Sequence, residues 1–272
     1  MYSTNTALSD DQLKRYAPSV FSINAHESRS ERYTHIPTIE IVKALRKENF
    51  IPFEARQSRS NEGRIDFTRH LIRFRHASQL EQTAVVGKEV NEVVLVNSHD
   101  GSSTYQMTAG IFRFVCANGL VVGANLFEDI RIRHQGDVVG RVIEGAYTVL
   151  DQFKIVGAHV DNMKSITLKD SEKQAFATSA LVAKYGELQP GIESYAITED
   201  QILSPRRSDD NNNDLWSTLN VVQENLIRGG LDSRSVSGNR SRTRQIKGIS
   251  QTMNLNKALW TLAEEMAKLK TQ

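Results

Sequence analysis

The spacing of apolar residues divides the chain into a helical start, a stretch of strands and a helical remainder. Ser9-Asp10-Asp11 ahead of Leu13 and Tyr16 predicts a short capped helix that stops at Pro18. Thr38 opens the run IEIVKALRKENF, in which Ile41, Val42 and Leu45 share one helical face. Thr38 reads as the N-cap, and Pro52 follows the helix end. The period then shortens to two. Residues 53–59 read as a strand. Leu71, Arg73 and Arg75 fall on one face of the next strand, with Ile72 and Phe74 on the other. Residues 93–96 form an apolar run of buried-strand length, and residues 105–107, 111–116, 120–122 and 130–133 extend the set. Turn formers crowd residues 97–103, and Asn118-Gly119 reads as the turn of a hairpin between apolar runs.

After Gly136 the period returns to helical. Val138, Val142, Ala146 and Val149 make one face, with Asp137 as cap, so a helix is expected over 137–154, continuing past a break near Gly157 to 166. Residues 171–185 read as a further helix with Ser171 near its cap, and 186–213, with Gly, Pro and an Asn triplet, as a loop. Asp214 caps a helix carrying Leu215, Leu219, Val222 and Leu226, which Gly229-Gly230 closes. Residues 231–250, rich in Ser, Arg and Gly, read as a segment that orders on binding. Leu255, Leu259, Leu262, Met266 and Leu269 mark a terminal amphipathic helix. The fold class expected is α+β: an antiparallel β-sheet core packed by a long helix, with a mostly helical C-terminal region. The expected division is a core domain over 1–166 and a helical region over 167–272. Gly140 and Gly145 fall inside a helix rather than after a strand, so they form no dinucleotide fingerprint.

Composition adds compartment and charge. No apolar run among the 272 residues approaches a membrane helix, and MYSTNTALSDDQLKRYAP lacks the apolar core of a secretory signal. The single Cys116 excludes an intramolecular disulfide and fits a reducing cytoplasm, where the protein is expected. The formal net charge of +2 conceals blocks. Residues 26–76 carry eleven bases against seven acids, with His26, His35, His70 and His76 in addition. Residues 170–214 carry nine acids against four bases. Residues 228–247 hold Arg228, Arg234, Arg240, Arg242, Arg244 and Lys247 against Asp232 alone. Two basic blocks around an acidic one point to a polyanion surface.

Candidate chemistry is sparse. H-E-x-x-H, C-x-x-C, G-x-S-x-G and phosphate-loop patterns are absent. His99-Asp100 at a strand end, joined by His134, is the one arrangement suggesting a metal or proton-transfer site, and a plain turn is the competing reading. Cys116 lies in an apolar strand pattern and reads as an inert thiol, and Glu144 as solvated or paired. Phosphate binding is better provided for. Arg56, Arg59, Arg73, Arg75, Arg113, Arg131 and Arg133 are expected to line a polar sheet face, with Tyr105, Phe112 or Tyr33 for base stacking. Arg228, Arg234, Arg240, Arg242, Arg244 and Lys247 would clamp the strand, and the spacing of two puts Arg240, Arg242 and Arg244 on one side of an extended chain.

Several blocks carry a resemblance: HESRSERY, IPTI, VNSHDGSSTYQM, GIFRFVCANGLVVG, GDVVGRVIEGAYTVL and NDLWSTLNVVQENLIRGGL. Over about residues 17–262 the chain resembles a prophage and conjugative-plasmid family of unknown function, YfjQ/YafZ-like. That label implies no catalytic residue. In the order of its elements the chain also looks like the core of Rad52/RecT/Redβ-type single-strand annealing proteins. This likeness implies a basic groove for single-stranded DNA and assembly of a homo-oligomer as a ring or filament. The expected function is therefore cofactor-free single-stranded DNA binding and annealing in phage or plasmid recombination, with no enzymatic step. Two alternatives stay open: an inhibitor or decoy acting on a host defence protein, and a metal-dependent nuclease built on His99, Asp100 and His134.

Overall fold

A computed structural model describes residues 6–23, 35–59, 65–80, 89–100, 104–114, 118–123, 129–191, 194–234 and 239–271. The chain divides into two compact units. One comprises Met1–Val121 with Phe127–Phe153, the other Val122–Leu126 with Lys154–Gln272.

The first unit opens with α1 (Asp10–Tyr16), whose cap Ser9 accepts from the Gln12 backbone N–H while the Gln12 side chain returns a bond to Ser9. Helix α2 (Thr38–Lys47) buries Ile41, Val42 and Leu45 as the spacing predicts. Its cap position is Pro37, and Thr38 is the first helical residue. The strands are β1 (Phe50–Gln57), β2 (His70–His76), β3 (Glu89–Asn97), β4 (Tyr105–Arg113), β5 (Asn118–Val121) and β6 (Ile130–Ile132), with the short helix α3 (Ala77–Leu80) after β2. β1 to β5 form an antiparallel meander, and β6 pairs with β4 on the edge that β5 also uses, end to end with it. Residues 105–107 and 111–116, expected as separate strands, join as one strand through Arg113 because Ala109 and Gly110 continue the pairing to β3, and residues 115–116 lie outside the described residues.

The faces follow from register. Ile72, Phe74, Leu95, Met107, Ala109, Ile111 and Leu120 share one face and are buried. Helix α4 (Val138–Ser165) crosses this face at Gly145, where an added Cβ would stand 3.0 Å from Met107 Sδ. Close approach, not turn geometry, accounts for that glycine.

The opposite face holds ionised groups. Arg73, Arg75, Glu54 and Glu92 lie there, all 2% exposed or less. Glu92 accepts from Arg73 Nη1 at 3.0 Å and from Arg75 Nε at 2.8 Å. Arg73 Nη2 donates to the Gly119 carbonyl at 3.1 Å. The expected hairpin turn at Asn118-Gly119 is therefore corrected: both residues lie within β5, and Gly119 pairs with Phe112. A Cβ on Gly119 would fall 2.4 Å from Arg73 Cζ, so the glycine makes room for a guanidinium. Gly119→Ala is expected to cost about 1–3 kcal/mol by overpacking, read as a lower urea midpoint. Gly157→Ala is its control. The helix runs unbroken through Gly157, a Cβ there meets nothing within 4 Å, and a gain of about 0.5–1 kcal/mol in helix propensity is expected.

The second unit contains the rest of α4, then α5 (Asp170–Tyr185), α6 (Glu199–Leu203), α7 (Leu215–Arg228), strands β7 (Asp232–Arg234) and β8 (Arg240–Arg242), and α8 (Ile249–Thr271). Short helix α6 stands inside the stretch expected as loop. Asp214 caps α7 as expected, accepting from the Ser217 N–H at 2.8 Å. Residues 215–227 of α7 are all buried, so it is the central helix of the unit. Its polar side chains are satisfied inside: Gln223 Nε2 donates to Asn256 Oδ1 of α8 at 2.7 Å, and Asn225 Nδ2 to the Ile202 and Ser204 carbonyls. Trp216 and Trp260 meet edge to face at 6.3 Å. Among the described residues, no helix is long and apolar enough to cross a membrane.

Candidate functional site

The sheet arginines do not form the open groove that their alternation suggested. Arg73 and Arg75 are corrected to core residues. Both are buried, and Arg75 places its guanidinium 4.2 Å from the Phe53 ring centroid and 4.6 Å from that of Phe112. The strand alternates as its pattern implies, but the face opposite Ile72 and Phe74 is also buried, and carboxylates rather than phosphates meet its cations. Arg56 pairs with Glu54, and Arg113 lies 3.9 Å from Glu89, both largely covered. Tyr105 and Phe112 are buried and offer no ring for stacking. Tyr33 lies outside the described residues, as does Cys116. Arg59, Arg131 and Arg133 are exposed, as expected.

The remaining candidate cations come together on the second unit. Helix α7 ends at Gly229 and Gly230, both at positive φ, and the chain leaves as the β7–β8 hairpin. This corrects the expectation of a segment without structure of its own. The arm is tied down at its base. Gly230 N–H donates to the Thr243 carbonyl at 2.8 Å, Thr243 N–H to the Leu231 carbonyl at 2.9 Å, and Ile246 N–H to the Ile227 carbonyl at 2.9 Å. Gly229 is required there, since a Cβ would stand 2.7 Å from the Arg244 carbonyl carbon. Arg240, Arg242, Arg244 and Lys247 are exposed along the arm. Register pairs position 234 with position 240 across the two strands. Arg242 Nε reaches Asp232 at 3.2 Å, but with Arg242 75% exposed that pair contributes little.

At the arm's base, Arg228 and Arg207 share the buried carboxylate of Glu224. Arg206 donates to Asn225 Oδ1 at 2.7 Å and to the Gly229 carbonyl at 2.6 Å. Arg206 and Arg207 sit within an acidic stretch whose block charge hides them, and the Arg-Arg doublet is their one local signal.

The histidine reading leads to a different arrangement in the first unit. His70 Nε2, His99 Nε2 and Asn97 Nδ2 all lie within 3.2 Å of Thr38 Oγ1. Ser19 Oγ stands 2.8 Å from His70 Nδ1, and Asn97 Oδ1 accepts from His134 Nε2 at 3.0 Å. Thr38 is thus a hub and not a cap. Its oxygen accepts from Asn97 and has one hydrogen to donate. One of the two imidazoles must then donate to it and the other accept, and the accepting ring must be neutral. Burial, the largest cause, lowers His70 to about 4 and His99 to about 2, with His70, His35 and His134 adding to the effect on His99. Asp100 Oδ1 accepts from Ser98 Oγ at 2.6 Å. Among the described residues, no group of three or more His, Cys, Asp or Glu is placed to hold a metal ion. The chemistry open to the cluster is tautomer exchange along Ser19–His70–Thr38–His99.

A family model described as "Domain of unknown function (DUF932)" matches residues 25–260. The chain is 48% identical over 260 residues to the UPF0380 protein YafZ of Escherichia coli (strain K12), covering 95% of this chain and 91% of that one. It is likewise 48% identical over 260 residues to the UPF0380 protein YfjQ of the same organism, with the same coverage. No solved structure matches the chain.

Proposed function

The chain belongs to the DUF932 family, and we propose that it binds single-stranded DNA in the cytoplasm and promotes annealing in the recombination of phages or plasmids. The observation that carries this reading is the anchored β7–β8 arm, which holds Arg240, Arg242, Arg244 and Lys247 exposed with Asp232 as the one acid of its block. Cations spaced along an extended strand suit a phosphate backbone, and guanidinium groups bind phosphate oxygens in bidentate fashion. A backbone gripped in this way leaves the bases open to pair with a second strand. No nucleotide cofactor is needed for such a step. Annealing further implies that several copies assemble on one strand as a ring or filament.

The test is fluorescence anisotropy with single-stranded and duplex oligonucleotides over a salt series, alongside complementary-strand annealing and particle sizing. Four arm contacts give an expected log–log salt slope of roughly −3 on single strands. Arg240→Ala, Arg242→Ala and Arg244→Ala together are expected to weaken binding across sequences and flatten the slope by about 2. Absence of binding at low salt, or an affinity indifferent to salt, defeats the proposal.

A further inference from the structure

In the second unit, α4 and α8 flank a half-open pocket of about 210 Å³ lined by His159, Asn162, Met163, Glu264, Ala267, Lys268 and Thr271. Glu264 is its one buried charge, its side chain 6% exposed. Among the described residues this carboxylate accepts no hydrogen bond, and its ionisable neighbour His159 holds Nδ1 3.6 Å away, beyond hydrogen-bond reach. The Lys268 ammonium, which lines the cavity by its stem, is committed to Glu265 at 2.6 Å. The Glu264 carboxylate oxygens are not sealed from water but open onto this pocket. The space exceeds the ~30 Å³ share of a single water several times over.

We propose that this cavity is a binding site for a small organic cation whose head group is a protonated amine or guanidine. The head donates to the Glu264 carboxylate, which supplies the opposite charge in a partly water-excluded site. Asn162 and His159 offer further polar atoms beside it, and Met163 and Ala267 take a short aliphatic body. An anion is disfavoured by the same carboxylate, and the Lys268 ammonium at the pocket's rim is paired with Glu265. The site lies apart from the chemistry proposed for the arm, and its occupancy is measured without DNA.

Isothermal titration of the full chain with butylammonium and with agmatine tests the proposal, against 1-butanol and butyrate as neutral and anionic probes of like size. Both cations are expected to bind saturably, and neither control. Glu264→Gln, checked for folding by circular dichroism, is expected to weaken the cations at least about tenfold. Asn162→Trp, at an exposed position of the lining, places a ring over the pocket while keeping the carboxylate, and is expected to block binding. The proposal is overturned if wild-type protein binds neither cation saturably or binds butanol as well. It is equally overturned if folded Glu264→Gln, or Asn162→Trp should Glu264→Gln not fold, binds the cations as wild type does.

Discussion

Glu92→Ala is expected to remove about 3–5 kcal/mol of stability. Glu92 is 1% exposed, and its two oxygens hold two guanidinium groups as deeply buried as itself. Truncation would leave Arg73 with only Glu54, 3.6 Å from its Nε, and the Gly119 carbonyl. Arg75 would keep only the faces of Phe53, Phe112 and Phe114. Cation–π contact is worth about 2 kcal/mol when desolvated, less than the cost of an unpaired buried charge. Against a typical total of about 5–15 kcal/mol, the loss would leave a marginal protein. Glu92→Gln keeps the shape and one acceptor and is expected to fall between. Glu40→Ala is the contrast: its pair with Lys43 at 2.9 Å is half exposed on both sides, and a change below about 1 kcal/mol is expected. Urea denaturation reads all three. A loss from Glu92→Ala no larger than that from Glu40→Ala would show that the cluster is not what holds this face of the sheet together.

The same cluster shows where the sequence could be read and where it could not. Period two placed Arg73 and Arg75 together on one strand face correctly, because backbone geometry alone decides that. Whether that face meets water depends on Glu54 and Glu92, 19 residues away in each direction from Arg73, and on β5 supplying the Gly119 carbonyl. A single strand's pattern carries no such information. Gly119 was misread for a related reason. Asn-Gly signals a turn locally, but here the missing side chain is required by an arginine 46 positions earlier. Helices were more legible, since their signals are local. The Ser9 and Asp214 caps and the Gly229 stop stood in the sequence as they stand in the fold. Thr38 is the exception. As a hydroxyl residue opening an apolar run it has the look of a cap, yet its partners are His70, Asn97 and His99, brought to it by β2, β3 and the turn beyond. His99 and His134 were singled out from the sequence. Their role changed because a pairing of histidine with Asp100 can be read along the chain, whereas a shared threonine hub cannot.

That hub makes acid the second strong lever on the protein. His70 and His99 ionise near 6.5 in an unfolded chain, but burial holds them down to about 4 and about 2 in the folded one. As pH falls below about 6.5 the unfolded chain takes up protons first, so stability falls with pH in this window. Above it both states carry neutral rings and the term vanishes. For His70 the loss is complete near pH 4, below which both states are protonated; for His99 it continues further. At pH 5 each ring is expected to have cost about 2 kcal/mol, at 1.36 kcal/mol per pH unit, and the two together about 4. Their mechanism is visible in the hydrogen bonds. A proton added to the ring that accepts from Thr38 turns that nitrogen into a donor, and the Thr38 hydroxyl then loses its acceptor and faces a third donor, while on either ring the added charge is buried. Urea midpoints measured at pH 7, 6 and 5 are expected to fall steadily, before carboxylates begin to titrate. His70→Gln removes one titrating ring while keeping an amide within reach of Thr38. Whatever its stability at pH 7, its slope between pH 7 and 5 is expected to be shallower than wild type by about 2 kcal/mol over the window. A wild-type midpoint that stays level from pH 7 to 5, or a His70→Gln slope equal to wild type, would mean that these rings accept protons in the folded state as readily as in water. The neutral network around Thr38 would then have to be abandoned.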